Sequence, residues 1–172
     1  MKWGIIGAMP SEVTLLKQQM QDICEVNVGR QVFWEGILCN QEVVVSSCGI
    51  GKVNAAITAQ MMIDRFGAQR IINTGIAGAI HHDLKVLDVV VSRELCYHDY
   101  NARFLRDYPP YIDSIRASDL MIEAAVEAFE AIDHGSSCCF VGKIASGDQF
   151  IESSEVKNKI VEEHHPMCVE ME

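Results

Sequence analysis

The chain lacks any apolar run approaching the roughly 18 residues that would form a membrane span, and its first residues lack a basic region, a long apolar stretch and a small-residue cleavage site. No membrane partner is expected, and the cytoplasm is the expected location. Basic residues are scarce: 14 Lys+Arg stand against 24 Asp+Glu, a net charge of −10, with a pI near 5.0. Such a field repels polyanions, so nucleic acid is not expected as a partner. No CxxC pair occurs among the seven cysteines, Cys24, Cys39, Cys48, Cys96, Cys138, Cys139 and Cys168. An odd number, with most of them in apolar runs, predicts small buried hydrophobes in a reducing compartment rather than a disulfide framework. His81-His82, His164-His165 and Cys138-Cys139 offer metal donors, but none has the spacing of a closed zinc site, and no metal is expected. Internal repeats, low-complexity tracts and linkers are absent as well.

What is present is a large apolar fraction: 49% of 172 residues, with mean hydropathy +0.10, enough for a sizeable core in one domain or one domain with a piece missing. Apolar β-branched runs recur at 2–6, 41–47, 69–73, 86–92, 138–145 and 167–171, with helix patterns at about 52–66, 117–132 and 153–164. Alternation of this kind predicts an α/β protein with a mixed, mostly parallel central sheet flanked by helices. Glu25–Val28 and Val32–Leu38 read as a hairpin around Gly29-Arg30, which makes the sheet mixed. The long stretch from Tyr97 to Arg116, with Pro109-Pro110, Phe104, Leu105, Tyr108 and Tyr111, reads as irregular; loops of that length are usually functional or meet a partner.

The amino terminus is the most informative segment. Trp3–Ile6 is a strand of the doubly buried kind, Gly7-Ala8 a tight exit, and Met9-Pro10-Ser11 a helix start with Ser11 as the N-cap. The helix from Glu12 to Gln21 then turns Val13, Leu15, Leu16 and Met20 inward. That puts the Glu12 carboxylate where open α/β folds place their ligand crevice. Equally, a first-turn Glu suits the helix dipole with no further role.

Three more strand exits carry polar or glycine-rich turns: Cys48–Lys52, Asn73–Gly78 and Ser146–Ile151, and all four are able to face one crevice. Neither glycine turn cradles phosphate by pattern, because Val53 and Ser46 stand where a Walker A motif needs Ser/Thr and Gly. The dinucleotide fingerprint fails too, and glycines at strand exits serve turns more often than ligands.

Taken in order, Gly4-Ile-Ile-Gly-Ala-Met9 with Glu12, Gly49-Ile-Gly51-Lys52-Val-Asn-Ala, Asn73-Thr-Gly75 with Ala77-Gly78, Tyr97-His98-Asp99, Ser146-Gly-Asp148 and Val169-Glu-Met-Glu172 resemble the 5′-methylthioadenosine/S-adenosylhomocysteine nucleosidases. The resemblance runs from residue 1 to residue 172, as one nucleosidase-like domain. It implies the nucleoside phosphorylase fold, a homodimer, and hydrolysis of the bond between adenine and a 5′-thio-substituted ribose without cofactor. Glu12 is then the base that activates water, and Glu172 holds the ribose hydroxyls beside the developing positive charge, an interaction that strengthens as the bond breaks. Phe150 stacks on adenine, the backbone of Ile151 reads its edge, and Met9, Ile50, Gly78 and Met171 line the pocket. Phe104, with Ala102 nearby, reaches the partner subunit's 5′-alkylthio pocket. For Phe150 and Met171 taken singly, core packing is the plainer reading. His98 and Asp148 suit structural hydrogen bonds at strand ends.

Two departures from the family pattern stand out. Ile76 occupies the place of a serine that helps hold the nucleophilic water. The family's general-acid aspartate, with the last strand and helix, is expected downstream of Glu172, so residues 1–172 alone are expected to bind purine weakly and turn over nothing. Rival readings are a purine nucleoside phosphorylase and a catalytically silent nucleoside-binding or dimerisation module. Against the first, Gly7–Glu12 carries no cation for phosphate.

Overall fold

Alternating strand and helix patterns fold as a computed structural model that describes residues 1–112 and 114–172. By contacts the chain divides into two units, Met1–Ile76 with Glu172, and Ala77–Met171. In the first, β1 (Lys2–Gly7), α1 (Pro10–Gln19), β2 (Gln21–Val28), β3 (Gln31–Leu38), β4 (Gln41–Ser47), α2 (Lys52–Phe66) and β5 (Ala68–Asn73) build a sheet of order β2-β3-β4-β1-β5. β1 runs parallel to β4 and β5, while β2, β3 and β4 are antiparallel. The expected hairpin is there, longer than its apolar pattern, and its turn uses Gly29 at φ 62°. Cys39 and Asn40, both at positive φ, close the next two-residue hairpin.

One face of this sheet buries Ile6, Phe33 and Val44 against Met62 and Phe66 of α2; the Phe33 and Phe66 rings meet tilted by 35°, with centroids 4.7 Å apart. The other buries Ile5, Val43 and Val45 against Val13 and Met20. Val13 is 1% exposed, but Leu15 is 69% exposed, so the inward stripe of α1 is narrower than expected and omits Leu15. The N-cap is Met9 rather than Ser11, with Pro10 inside the first turn, where a missing N–H loses no helical bond. Helix α2 matches its predicted span because glycines flank it: Gly51 at φ 109° and Gly67 in the left-handed C-cap conformation.

In the second unit, β6 (Gly78–Ala79), β7 (Val89–Tyr97), α3 (Ala102–Asp107), β8 (Ile115–Arg116), α4 (Asp119–Glu130), β9 (Cys139–Ser146), α5 (Ser154–His164) and β10 (Cys168–Glu170) form a sheet of order β6-β10-β9-β7-β8. Its middle pairs, β10–β9 and β9–β7, are parallel and its outer pairs antiparallel. Both sheets are mixed and carry helices, as the α/β reading expected, but the strands divide between two sheets rather than joining one, and each has two parallel and two antiparallel pairings rather than a parallel majority.

Several elements differ from the sequence patterns: α1 runs Pro10–Gln19 rather than Glu12–Gln21, and Gln21 opens β2. The strand expected at 86–92 begins only at Val89, since Asp88 accepts the Lys85 and Cys138 backbone N–H groups and Leu87 takes φ 78°, fixing a turn that leaves Val86 and Leu87 in solvent. The stretch from Tyr97 to Arg116 is not wholly irregular: Asn101 caps α3 through the Arg103 N–H, and β8 pairs with β7, with Asp113 outside the described residues. Burial of the cysteines is also less general than expected. Cys48, Cys96 and Cys168 are buried, Cys139 is half-buried, and Cys24, Cys39 and Cys138 are exposed, all as free thiols.

Candidate functional site

Three parallel neighbours, β4, β1 and β5, end side by side, so three of the four glycine-rich exits share one sheet edge. Backbone bonds stitch them together: Cys48 N–H to Gly7 O at 2.8 Å, Gly49 N–H to Ala8 O at 2.9 Å, and Thr74 N–H to Ile6 O at 2.8 Å. Glu12 stands over this edge. Its Oε2 accepts the Met9 N–H at 2.8 Å, reaching back across the first turn of α1, and its Oε1 accepts the Ile76 N–H at 3.0 Å. A carboxylate offers about four lone-pair positions, so two backbone donors orient it and leave acceptor capacity on each oxygen.

Glycine makes the approach possible. A Cβ on Gly75 would lie 2.6 Å from Oε1 of Glu12, and one on Gly7 would lie 2.9 Å from Val13 and 3.0 Å from Cβ of Glu12. Distances of 2.6 and 2.9 Å are shorter than real Cβ contacts and 3.0 Å is tighter than most, so the tight exit read at Gly7 admits the first turn of α1, and Gly75 admits the carboxylate itself.

Glu172 belongs to the same unit, and its Oε1 accepts the Gly51 N–H at 3.3 Å at the start of α2. Between the exits sits Cys48. Burial pushes its thiol up to about 11, and the charges of Glu172 and, more weakly, Glu12 push in the same direction. Sequence reasoning gave Cys48 no part beyond packing, although its place just before Gly49-Ile-Gly51 was the available signal.

Among the other residues expected in the first unit, Met9 is half-buried and gives its backbone N–H to Glu12. Ile50 is exposed, and its carbonyl accepts the Asn54 side chain at 2.7 Å, which pins the glycine turn. The Ile76 side chain is 75% exposed, so this residue meets Glu12 through its backbone.

In the second unit, Tyr97 pairs in register with Ser146, and His98 N–H donates to Ser146 O at 3.0 Å. Asp148 N–H donates to Asp99 at 2.7 Å, and Gly147 N–H to Glu170 O at 3.2 Å. A Cβ on Gly147 would collide with the His98 ring. These bonds use the backbone amides of His98 and Asp148, and Asp99, from the Tyr97-His98-Asp99 motif, accepts the second through its carboxylate. Phe150 is 78% exposed, which removes core packing as its explanation. Ile151 packs beside the cluster of Ile80, Cys96, Ala145, Ile160 and Val169. Gly78 pairs with Val169, and Met171 follows β10, half-buried. Phe104 is exposed on α3, in a ladder of rings that runs Tyr97, Tyr100, Phe104, Tyr108 at centroid spacings of 6.2, 6.4 and 6.2 Å.

A carboxylate held over three parallel strand ends, with glycine spared around it, is the arrangement of a small-molecule site in an open α/β sheet. Known proteins agree with that class. The model of the phosphorylase superfamily matches residues 2–172. The 5′-methylthioadenosine/S-adenosylhomocysteine nucleosidase of Staphylococcus epidermidis is 39% identical over 98% of this chain and 75% of its own length. A crystal structure of the nucleosidase of that name from Colwellia psychrerythraea, in complex with adenine, superposes with TM-score 0.92 at 35% identity, covering 99% of this chain and 72% of that one. The Neisseria meningitidis structure with methylthio-immucillin-A gives 0.89 at 33% identity, over 99% and 75%. The chain belongs to the phosphorylase superfamily and, within it, to the family of the 5′-methylthioadenosine/S-adenosylhomocysteine nucleosidases.

Proposed function

We propose that the protein hydrolyses the N-glycosidic bond of 5′-methylthioadenosine and S-adenosylhomocysteine, releasing adenine and a 5-thioribose product. The observation that carries this reading is the Glu12 carboxylate, oriented by the Met9 and Ile76 N–H groups, where the segment Gly7–Glu12 offers water a base and carries no cation for phosphate. Glu12 takes the proton of the attacking water through its remaining lone pairs, while the proton that adenine needs on leaving comes from the general-acid aspartate that the family resemblance implies outside residues 1–172. Glu172 faces the ribose, where positive charge develops as adenine departs, so its attraction grows toward the transition state. Exposed Phe150 supplies an aromatic face for the purine, with the Ile151 backbone at its edge; Met9, Ile50, Ile76, Gly78 and Met171 border ribose and base.

Residues 1–172 are read as one nucleosidase-like domain, which the unbroken family match over 2–172 supports. We place the protein in the cytoplasm. It acts as a homodimer in this reading, since Tyr100, Phe104, Tyr108 and Tyr111 are each exposed on one short segment and aromatics favour interfaces. Sedimentation of the protein expressed from its full reading frame checks this, and a monomer at micromolar concentration overturns it. The activity is tested on the protein expressed from its full reading frame, by adenine release from methylthioadenosine in phosphate-free buffer. Release that requires phosphate would replace the hydrolase with a phosphorylase, and adenine binding without turnover would leave a silent module.

A further inference from the structure

The turn that follows β6 gathers two imidazoles and a carboxylate. Oδ2 of Asp83 lies 3.5 Å from Nδ1 of His81, and Oδ1 lies 3.3 Å from Nε2 of His82. All three donor atoms fall within 4.8 Å of one another, and the two rings stack at 4.4 Å. Zinc-class ions bind imidazole and carboxylate at about 2.0–2.2 Å, which places neighbouring ligand atoms of a tetrahedron roughly 3.3–3.5 Å apart. The two nitrogen-to-oxygen distances are close to that edge, each to a different oxygen of Asp83, so binding turns the carboxylate to bring one oxygen toward both rings.

The turn is also held in place. The Ile80 and His81 N–H groups both donate to Met167 O, at 3.0 and 2.9 Å, and Leu84 N–H donates to His81 O at 3.2 Å. The Asp83 N–H points at Nδ1 of His81 at 3.4 Å, so that nitrogen is used as an acceptor and its lone pair faces the Asp83 side. At 3.4 Å this hydrogen bond is weak and easily given up to a metal. His82 is the most accessible donor, its side chain 84% exposed. The acidic surface of the whole chain, net −10, draws cations toward it.

We propose that His81, His82 and Asp83 form a surface site for one borderline divalent transition-metal ion, of the zinc, cobalt or nickel class, with solvent completing the coordination. The His₂-carboxylate donor set favours those ions over magnesium and calcium, which prefer all-oxygen shells. The ion cross-links the turn and takes no part in glycosidic cleavage. Sequence spacing did not reveal the site because the third donor is the adjacent Asp83, which a search for two separated ligand pairs passes over.

Cobalt(II) titration followed by calorimetry and visible absorption tests the site, using the wild-type protein, His82→Ala, Asp83→Asn, and His164→Ala/His165→Ala as a control for the other histidine pair. The expected result is one equivalent bound by the wild type and by the control, without a thiolate charge-transfer band, and loss of that equivalent in both His82→Ala and Asp83→Asn. Magnesium is expected not to compete. Absence of wild-type binding overturns the proposal, as does equal binding in His82→Ala, loss confined to the control, or a thiolate band that assigns the ion to cysteine.

Discussion

The backbone N–H of Ile76 donates to Oε1 of Glu12 at 3.0 Å, across 64 residues of sequence. This bond ties the exit of β5 to the first turn of α1, and with the Met9 N–H on Oε2 it fixes both oxygens of the carboxylate. A residue whose side chain is apolar and exposed thus serves the site through its amide. The same two bonds also satisfy donors at a helix start and a strand end, so the structural and the chemical readings of Glu12 describe one arrangement.

In the protein expressed from its full reading frame, Glu12→Gln is expected to reduce turnover by about 10²–10⁴-fold, or roughly 3–5 kcal/mol of barrier, while adenine still binds. The amide keeps one acceptor oxygen for Ile76 or Met9 but has no basic oxygen for water. Steady-state release of adenine and equilibrium adenine binding, measured side by side, separate the two effects; unchanged turnover removes Glu12 from the mechanism.

Gly75→Ala is the complementary test, because it leaves every acid and base in the chain untouched. The added methyl would lie 2.6 Å from Oε1 of Glu12 and must displace the carboxylate. A misplacement of about 1 Å at a reacting group costs on the order of 10²-fold in rate. Thermal unfolding should change little by comparison, since Gly75 is exposed. Full activity in this variant would show that the position of Glu12 is not critical.

Much of the first unit was legible in the sequence, and the reasons are local. Apolar runs at 2–6 and 41–47 are strands buried on both faces, and α2 is bounded by glycines whose backbone the following or preceding residue cannot imitate. Failures came where a side chain acted on the backbone. Val86 and Leu87 are apolar, yet Asp88 holds the Lys85 and Cys138 amides and forces a turn through them. Leu15 fits a helical stripe that α1 does not bury. At the site, the Glu12 carboxylate could be read from its position, whereas its partners are the amides of Met9 and Ile76, and amides leave no mark in a sequence. Cys48 could be placed at a strand exit from the sequence, but not its raised pKa, which comes from burial and from the carboxylate charges of Glu172 and Glu12.

Phe33→Ala is expected to destabilise the protein by about 3–5 kcal/mol. The ring is wholly buried between the β-sheet and α2, in contact with Phe66, and its removal leaves a cavity in a layer that has few ways to collapse. Urea unfolding measures the loss; a change below about 1 kcal/mol would show that the layer repacks.

Alkaline pH probes the buried thiols. Burial raises Cys168 from 9.0 to about 11, with Glu170 adding to it, and Cys48 rises to about the same value. A folded-state value above the unfolded one means that the native protein holds its proton more tightly, so the stabilisation is complete below pH 9 and is lost as pH rises toward 11. Urea midpoints should therefore fall across that window, and Cys168→Ala should flatten the fall while leaving the remainder due to Cys48 and other titrating groups. Thiol labelling offers an independent check at pH 8: exposed Cys24, Cys39 and Cys138 should react first, and Cys48, Cys96 and Cys168 only on unfolding, because thiolate is the reactive form and burial withholds it. An identical pH dependence in Cys168→Ala, together with rapid native-state labelling of Cys168 in the wild type, would mean that this thiol is neither buried nor shifted.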